Sequence, residues 1–149
     1  MDEVVGKSKH GEMTIDQIAG IQPGMARLMD EISRRFIYLY YSAKEGNWLM
    51  ARHQYKEVIS LMKILKVTRP KYTTDMETYE RHHLSPIFEA IEKRDKKAFE
   101  DSYNIAVEGS DFYHDKYDLA YIRFVVPSKP PDHFHLGPPE KFSRKRSRL

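Results

Sequence analysis

The chain has 149 residues, 40% hydrophobic and 32% charged, with 7 Gly and 8 Pro, enough for a single hydrophobic core and unlike a disordered or fibrous composition. It contains no cysteine, which excludes disulfides, thiolate metal sites, cysteine nucleophiles and covalent c-type haem. The net charge is +3, but Lys141, Arg144, Lys145, Arg146 and Arg148 contribute five positive charges without an acid, so residues 1–140 sum to −2 and give no ground for a nucleic-acid-binding body.

Residues 1–22 read as a polar lead-in with one short helix. Thr14-Ile15-Asp16-Gln17 fits a capping box, and Gly20 and Pro23-Gly24 break the helix that follows. No strand pattern is strong. Four long helical patterns occupy 23–118. In the first, Met25, Leu28, Met29, Ile32, Phe36, Leu39, Tyr40 and Ala43 form one apolar stripe. Gly46-Asn47 ends this helix and caps the next, and so short a connection predicts antiparallel neighbours. The second helix carries Ala51, Tyr55, Val58, Met62 and Leu65 and is predicted to stop before Pro70. The third is expected to start at a second capping box, Thr74 to Glu77. It buries Met76, Glu80, His83, Ile87 and Ile91, and Pro86 predicts a kink. Asp95 caps the fourth, which runs through Phe99, Ser102, Ala106, Gly109 and Tyr113. Residues 119–137 read as an extended apolar strap laid on the bundle, and 138–149 as a basic disordered tail. The predicted fold is all-α: an antiparallel up-down-up-down four-helix bundle with a short N-terminal helix and a C-terminal strap.

The chain opens Met1-Asp2-Glu3, acidic where a signal peptide is basic. Its longest apolar run, Phe36 to Tyr41, is far shorter than the roughly 20 residues of a bilayer span. A cytoplasmic location without a membrane span is the expectation.

The chain has no phosphate-cradling glycine loop, no Gly-x-Ser-x-Gly elbow and no His-Glu-x-x-His. Chemistry is therefore sought in the bundle interior. Glu80 and His83 are three apart on the third helix, Asp111 and His114 three apart on the fourth, and His53 and Glu57 four apart on the second. Each spacing sets two potential metal ligands on one helical face, as in di-iron carboxylate bundles, although here the pairs fall on consecutive helices. Hydrogen-bonded or solvated boundary pairs are the competing reading. The small residues Ser102, Ala106, Gly109 and Ser110 predict either close helix packing or a ligand cavity. Ile37, Tyr38 and Tyr41 face away from the first helix's stripe, which predicts either a subunit contact, a homodimer through this helix, or cover by the strap.

Gly46-Asn47-Trp48, the four helices and Tyr121-Ile122-Arg123-Phe124-Val125-Val126-Pro127 together resemble small four-helix c-type cytochromes of the cytochrome c′-like kind. The resemblance spans roughly residues 24–135 and rests on pattern. It sets the family's haem motif on Ser110-Asp111-Phe112-Tyr113-His114, with Ser110 and Tyr113 in place of both cysteines and His114 as the retained histidine. It implies a haem-less scaffold acting as a small-ligand-binding or protein-interaction accessory subunit, not as an enzyme, with a pocket at Trp48, Ser110, Tyr113 and His114. No cofactor is predicted, although His114 leaves room for non-covalent haem. The alternative is a non-haem metal-binding bundle, a carrier or a metalloenzyme, holding a transition metal such as iron or zinc among His53, Glu57, Glu80, His83, Asp111 and His114.

Overall fold

The computed structural model describes residues 4–138; of the tail expected to be disordered, all but Pro138 lies outside them. The described chain is mainly helical with one small antiparallel sheet, formed by β1 (Val5–Ser8) and β2 (Gly11–Thr14) in the register Val5↔Thr14 to Ser8↔Gly11. This hairpin corrects the expectation of no strand. Its two-residue turn, Lys9-His10, is followed by Gly11 at φ 130°, a conformation only glycine takes cheaply, and the opposed Lys7 and Glu12 pair at 3.2 Å. Thr14 then caps α1 (Ile15–Gly20): its hydroxyl accepts from Gln17 N and the Gln17 side chain accepts from Thr14 N, the reciprocal box read from sequence. The helix lies over the hairpin so closely that a Cβ on Gly6 would meet Ile18 Cδ1 at 2.8 Å.

The long helices are α2 (Met25–Lys44), α3 (Trp48–Thr68), a third rod in two parts, and α6 (Lys96–Lys116). Between α2 and α3, Gly46 has φ 78° and the Asn47 side chain accepts from Met50 N, so one dipeptide stops one helix and starts the next. After α3 the chain makes a 3₁₀ turn (Pro70–Tyr72) and enters α4 (Thr73–Tyr79) already helical. The capping box expected at Thr74 is therefore absent. No side chain caps α4; Thr74 lies inside it, and its carbonyl accepts from the Thr78 hydroxyl. A π turn (Glu80–Leu84) joins α4 to α5 (Ser85–Glu92), with Ser85 N–H reaching back to Glu80 O. Pro86, expected to kink the helix, supplies the cause. Its ring nitrogen has no hydrogen to give His82 O, and a wider turn moves the backbone away from the ring. Asp95 caps α6 through Ala98 N, as read from sequence.

Helix α2 packs on α3, α3 on α5, α5 on α6, and α6 back on α2, enclosing a common core. Leu39, Ala43, Ala51, Val58, Leu65, Ile87, Tyr103 and Ala106 lie at its centre. Phe36 and Tyr103 stack at 4.3 Å, and the fully buried Tyr103 hydroxyl donates to Phe36 O at 2.8 Å. That bond satisfies the only polar atom of a ring taken wholly out of water.

Beyond α6 the chain runs without regular structure along the outer side of α2. Phe124 packs edge-on against Phe36, and Leu136 is buried against Tyr38 and Tyr41. The Tyr41 hydroxyl donates to Pro127 O, Tyr38 Oη and His133 Nε2 share a hydrogen bond of 2.9 Å, and Asn47 Nδ2 donates to Gly137 O at 2.8 Å. Tyr38 and Tyr41 are buried and Ile37 half-buried beside them. Of the two covers expected for Ile37, Tyr38 and Tyr41, the chain's own C-terminal segment is present on that aromatic face, which offers apolar rings for Leu136, a hydroxyl for the Pro127 carbonyl and another for the His133 ring. No helix among the described residues is long and apolar enough to cross a membrane.

Candidate functional site

The four residues expected to line one pocket do not meet. Trp48 packs edge-on against Phe99 at 6.4 Å, near the start of α6, whereas Ser110 to His114 lie near its end. The rise from Phe99 to Ser110 is about 16 Å of helix. The Ser110 hydroxyl is turned back onto Val107 O at 2.7 Å. Tyr113 stands perpendicular to Tyr79 at 5.9 Å and to Phe112 at 5.2 Å. His114 is half-buried; its Nδ1 is buried without a hydrogen-bond partner among the described residues, and its carbonyl accepts from Leu119 N.

The expected metal ligands are similarly dispersed. His53 is exposed on α3. Glu57 stands 3.9 Å from Arg35, whose guanidinium also binds Glu31 at 3.1 Å and Gln54 Oε1 at 3.1 Å. The buried polar side chain on this part of α3 is thus Gln54, which the sequence reading did not single out. Glu80 is neutralised by Lys66, whose Nζ lies 2.9 Å from Oε1 and donates to Oε2 at 3.0 Å. Glu80 also faces Tyr55, whose hydroxyl is pushed up to about 12 by burial and then by this carboxylate. Asp111 is 3.8 Å from Arg123, with its Oδ1 buried and without a hydrogen bond among the described residues. Among the described residues, no three His, Asp or Glu side chains are grouped so that they could hold a metal ion.

One member of the acid–histidine pairs does belong to a concave surface. The π turn carries the His83 ring onto α6 at Gly109, where a Cβ would sit 2.7 Å from Nε2 and 2.9 Å from Cδ2 and Cε1. This is why a glycine interrupts α6: the close-packing reading of the small residues holds at Gly109, with an imidazole as the neighbour. Burial, and then the adjacent His82, hold the His83 imidazole below its ordinary value, favouring the neutral ring, and its Nδ1 has no hydrogen-bond partner among the described residues. Tyr79 lies beside it at 5.0 Å and donates to Ala106 O at 2.7 Å. Its hydroxyl is raised by burial and then by Tyr113 and Asp111.

Above this floor opens a groove of about 530 Å³ between α4, the π turn and α6. Ile105 and Phe112 stand on its α6 side, 55% and 64% exposed, with Tyr113 between Phe112 and the interior. Thr78, His82 and Glu108 complete the rim. Of the residues expected to line a pocket or hold a metal, only His83 and Tyr113 line this groove. His82, Ile105, Glu108 and Phe112 were missed as site residues. Their signal was the seven-residue step from Ile105 to Phe112 on a face otherwise occupied by Asp101, Asn104 and Glu108. A second, smaller cavity of about 150 Å³ lies at the other end, between Lys44 and Lys96.

No family model, no curated protein and no solved structure matches the chain.

Proposed function

We propose that the chain is a non-catalytic binding module, built as an antiparallel four-helix bundle of the cytochrome c′-like kind without covalent haem, that holds a small molecule in the groove between the π turn and α6. The observation that carries this reading is the pairing of exposed Ile105 and Phe112 with a His83 ring seated on a helix-interior glycine. Two large apolar side chains left in water at the mouth of a concavity have an energetic reason to take a ligand, and π turns recur at functional positions. The cyclic packing of the long helices supports the bundle, and the segment from Tyr121 to Pro127 supports the cytochrome-like scaffold. A thermal-shift screen of small aromatic compounds tests the groove. Some compounds should raise the melting temperature of the wild type and lose that effect in an Ile105→Ser, Phe112→Ser double variant. Hits that survive the double substitution, or no hit at all, would refute the reading.

The second reading is a bundle that binds iron or zinc without haem. His83 Nδ1, Asp111 Oδ1 and His114 Nδ1, which lack a hydrogen bond among the described residues, favour it, and the dispersal of the candidate ligands counts against it. Elemental analysis of untagged protein separates the two: about one metal per chain supports this reading, and a metal-free, colourless protein removes it.

A further inference from the structure

The charge and shape of the groove narrow the ligand, provided the reading of the groove as a ligand site stands. Among the described residues, Glu108 is the one carboxylate on its rim, and neither Lys nor Arg lines it. On either side of Glu108 along α6, Asp101 pairs with Lys97 and Asp115 with Arg123, which leaves Glu108 as the countercharge at the groove. A cation seated in the groove would be attracted by Glu108, whereas an anion there would be repelled by it. Shape adds a second restriction. Phe112 and Tyr113 stand nearly perpendicular, with an interplanar angle of 83° and centroids 5.2 Å apart, so together they make an aromatic corner. A flat ring can lie face-on against one and edge-on against the other, and a positive charge over either face gains from the ring quadrupole. The His83 ring beneath them is a polar contact that carries no like charge when neutral.

We infer that the groove takes a flat aromatic cation, a molecule of two or three linked or fused rings with a delocalised positive charge. At about 530 Å³ the groove has room for such a molecule and lies within the usual size of small-molecule sites. Phe112 supplies the stacking surface, Ile105 closes the apolar side, and Glu108 supplies the countercharge.

The test compares two fluorescent probes, cationic thioflavin T and anionic 8-anilinonaphthalene-1-sulfonate, titrated into the full chain at pH 8, where an ordinary imidazole is uncharged. Thioflavin T should bind more tightly than the sulfonate. Glu108→Gln should weaken it about 5-fold, as expected for one charge near a protein surface. Phe112→Ser should abolish binding. Glu108 is exposed and Gln keeps its shape, so this variant folds as the wild type does and the comparison stays valid. If the sulfonate binds as tightly as thioflavin T and both are lost in Phe112→Ser, the site stands and the cation inference falls. The inference is also overturned if Glu108→Gln leaves thioflavin T binding unchanged. If neither probe binds, the cation inference falls, and the thermal-shift screen alone decides whether the groove is a ligand site.

Discussion

Replacing Gly109 by alanine isolates the contact on which the site is built. In an exposed, unobstructed helix the change would stabilise by about 1 kcal/mol, because alanine loses less backbone entropy. Here the new methyl would stand 2.7 to 2.9 Å from three atoms of the His83 ring, well inside contact distance. Relieving that overlap by moving the ring costs about 1–3 kcal/mol on the usual scale of overpacking. The net effect of Gly109→Ala is a destabilisation of up to about 2 kcal/mol, from the difference of these two terms. In a His83→Ala background the overlap is gone, and the same substitution should stabilise by about 1 kcal/mol. The sign therefore reverses, and the coupling energy is about 1–3 kcal/mol. Urea denaturation of the four proteins in the cycle, with a shared m value, measures it. If Gly109→Ala stabilises equally in both backgrounds, His83 does not rest on Gly109 and the floor of the groove is wrong.

Tyr103→Phe should cost about 1–2 kcal/mol by denaturant melting, because it leaves the Phe36 carbonyl without its buried donor. An unchanged midpoint would contradict the buried bond. Leu136→Ala should release the segment covering Tyr38 and Tyr41, costing about 2 kcal/mol and speeding amide exchange locally in 124–137 without unfolding the helices. Exchange that stays slow there would show that the cover does not depend on Leu136. Stability should also fall as pH drops below the ordinary imidazole value of 6.5. The folded chain resists protonating His83 while the unfolded chain accepts the proton, so folding is disfavoured through the window between 6.5 and the depressed folded value. His83→Gln should remove this part of the pH dependence; an identical profile would show that His83 does not titrate abnormally.

Local hydrogen-bond chemistry made several boundaries legible. Thr14, Asn47 and Asp95 each cap the helix assigned to them, because a cap needs only a side chain and the backbone two or three residues on. Thr74 satisfied the same pattern and failed because the chain reaches it already helical from the turn at Pro70. The hairpin was hidden by strands of four residues and a turn without the usual Asn-Gly signal. Pro86 announced a disruption, but not that a π turn would carry His83 to Gly109. The acid–histidine spacings were real on each helix, yet spacing fixes one face of one rod and says nothing of how neighbouring rods are rotated. Glu80 accordingly went to Lys66, Asp111 towards Arg123, and His83 to the groove. The outer aromatic patch was visible in the sequence, with its two covers undecided. Leu136, about a hundred residues from Tyr38, decided it.

The central claim, that the groove beside Gly109 receives a ligand, is tested most directly by two-dimensional amide NMR of labelled protein titrated with a hit from the thermal-shift screen. Saturable shifts should concentrate at 78–84 and 105–113, with the Gly109 amide among the largest, and the amides of Tyr38, Tyr41 and Leu136 should stay still. Shifts centred on the Lys44 and Lys96 end, or along 124–137, would put the binding surface elsewhere and contradict the account.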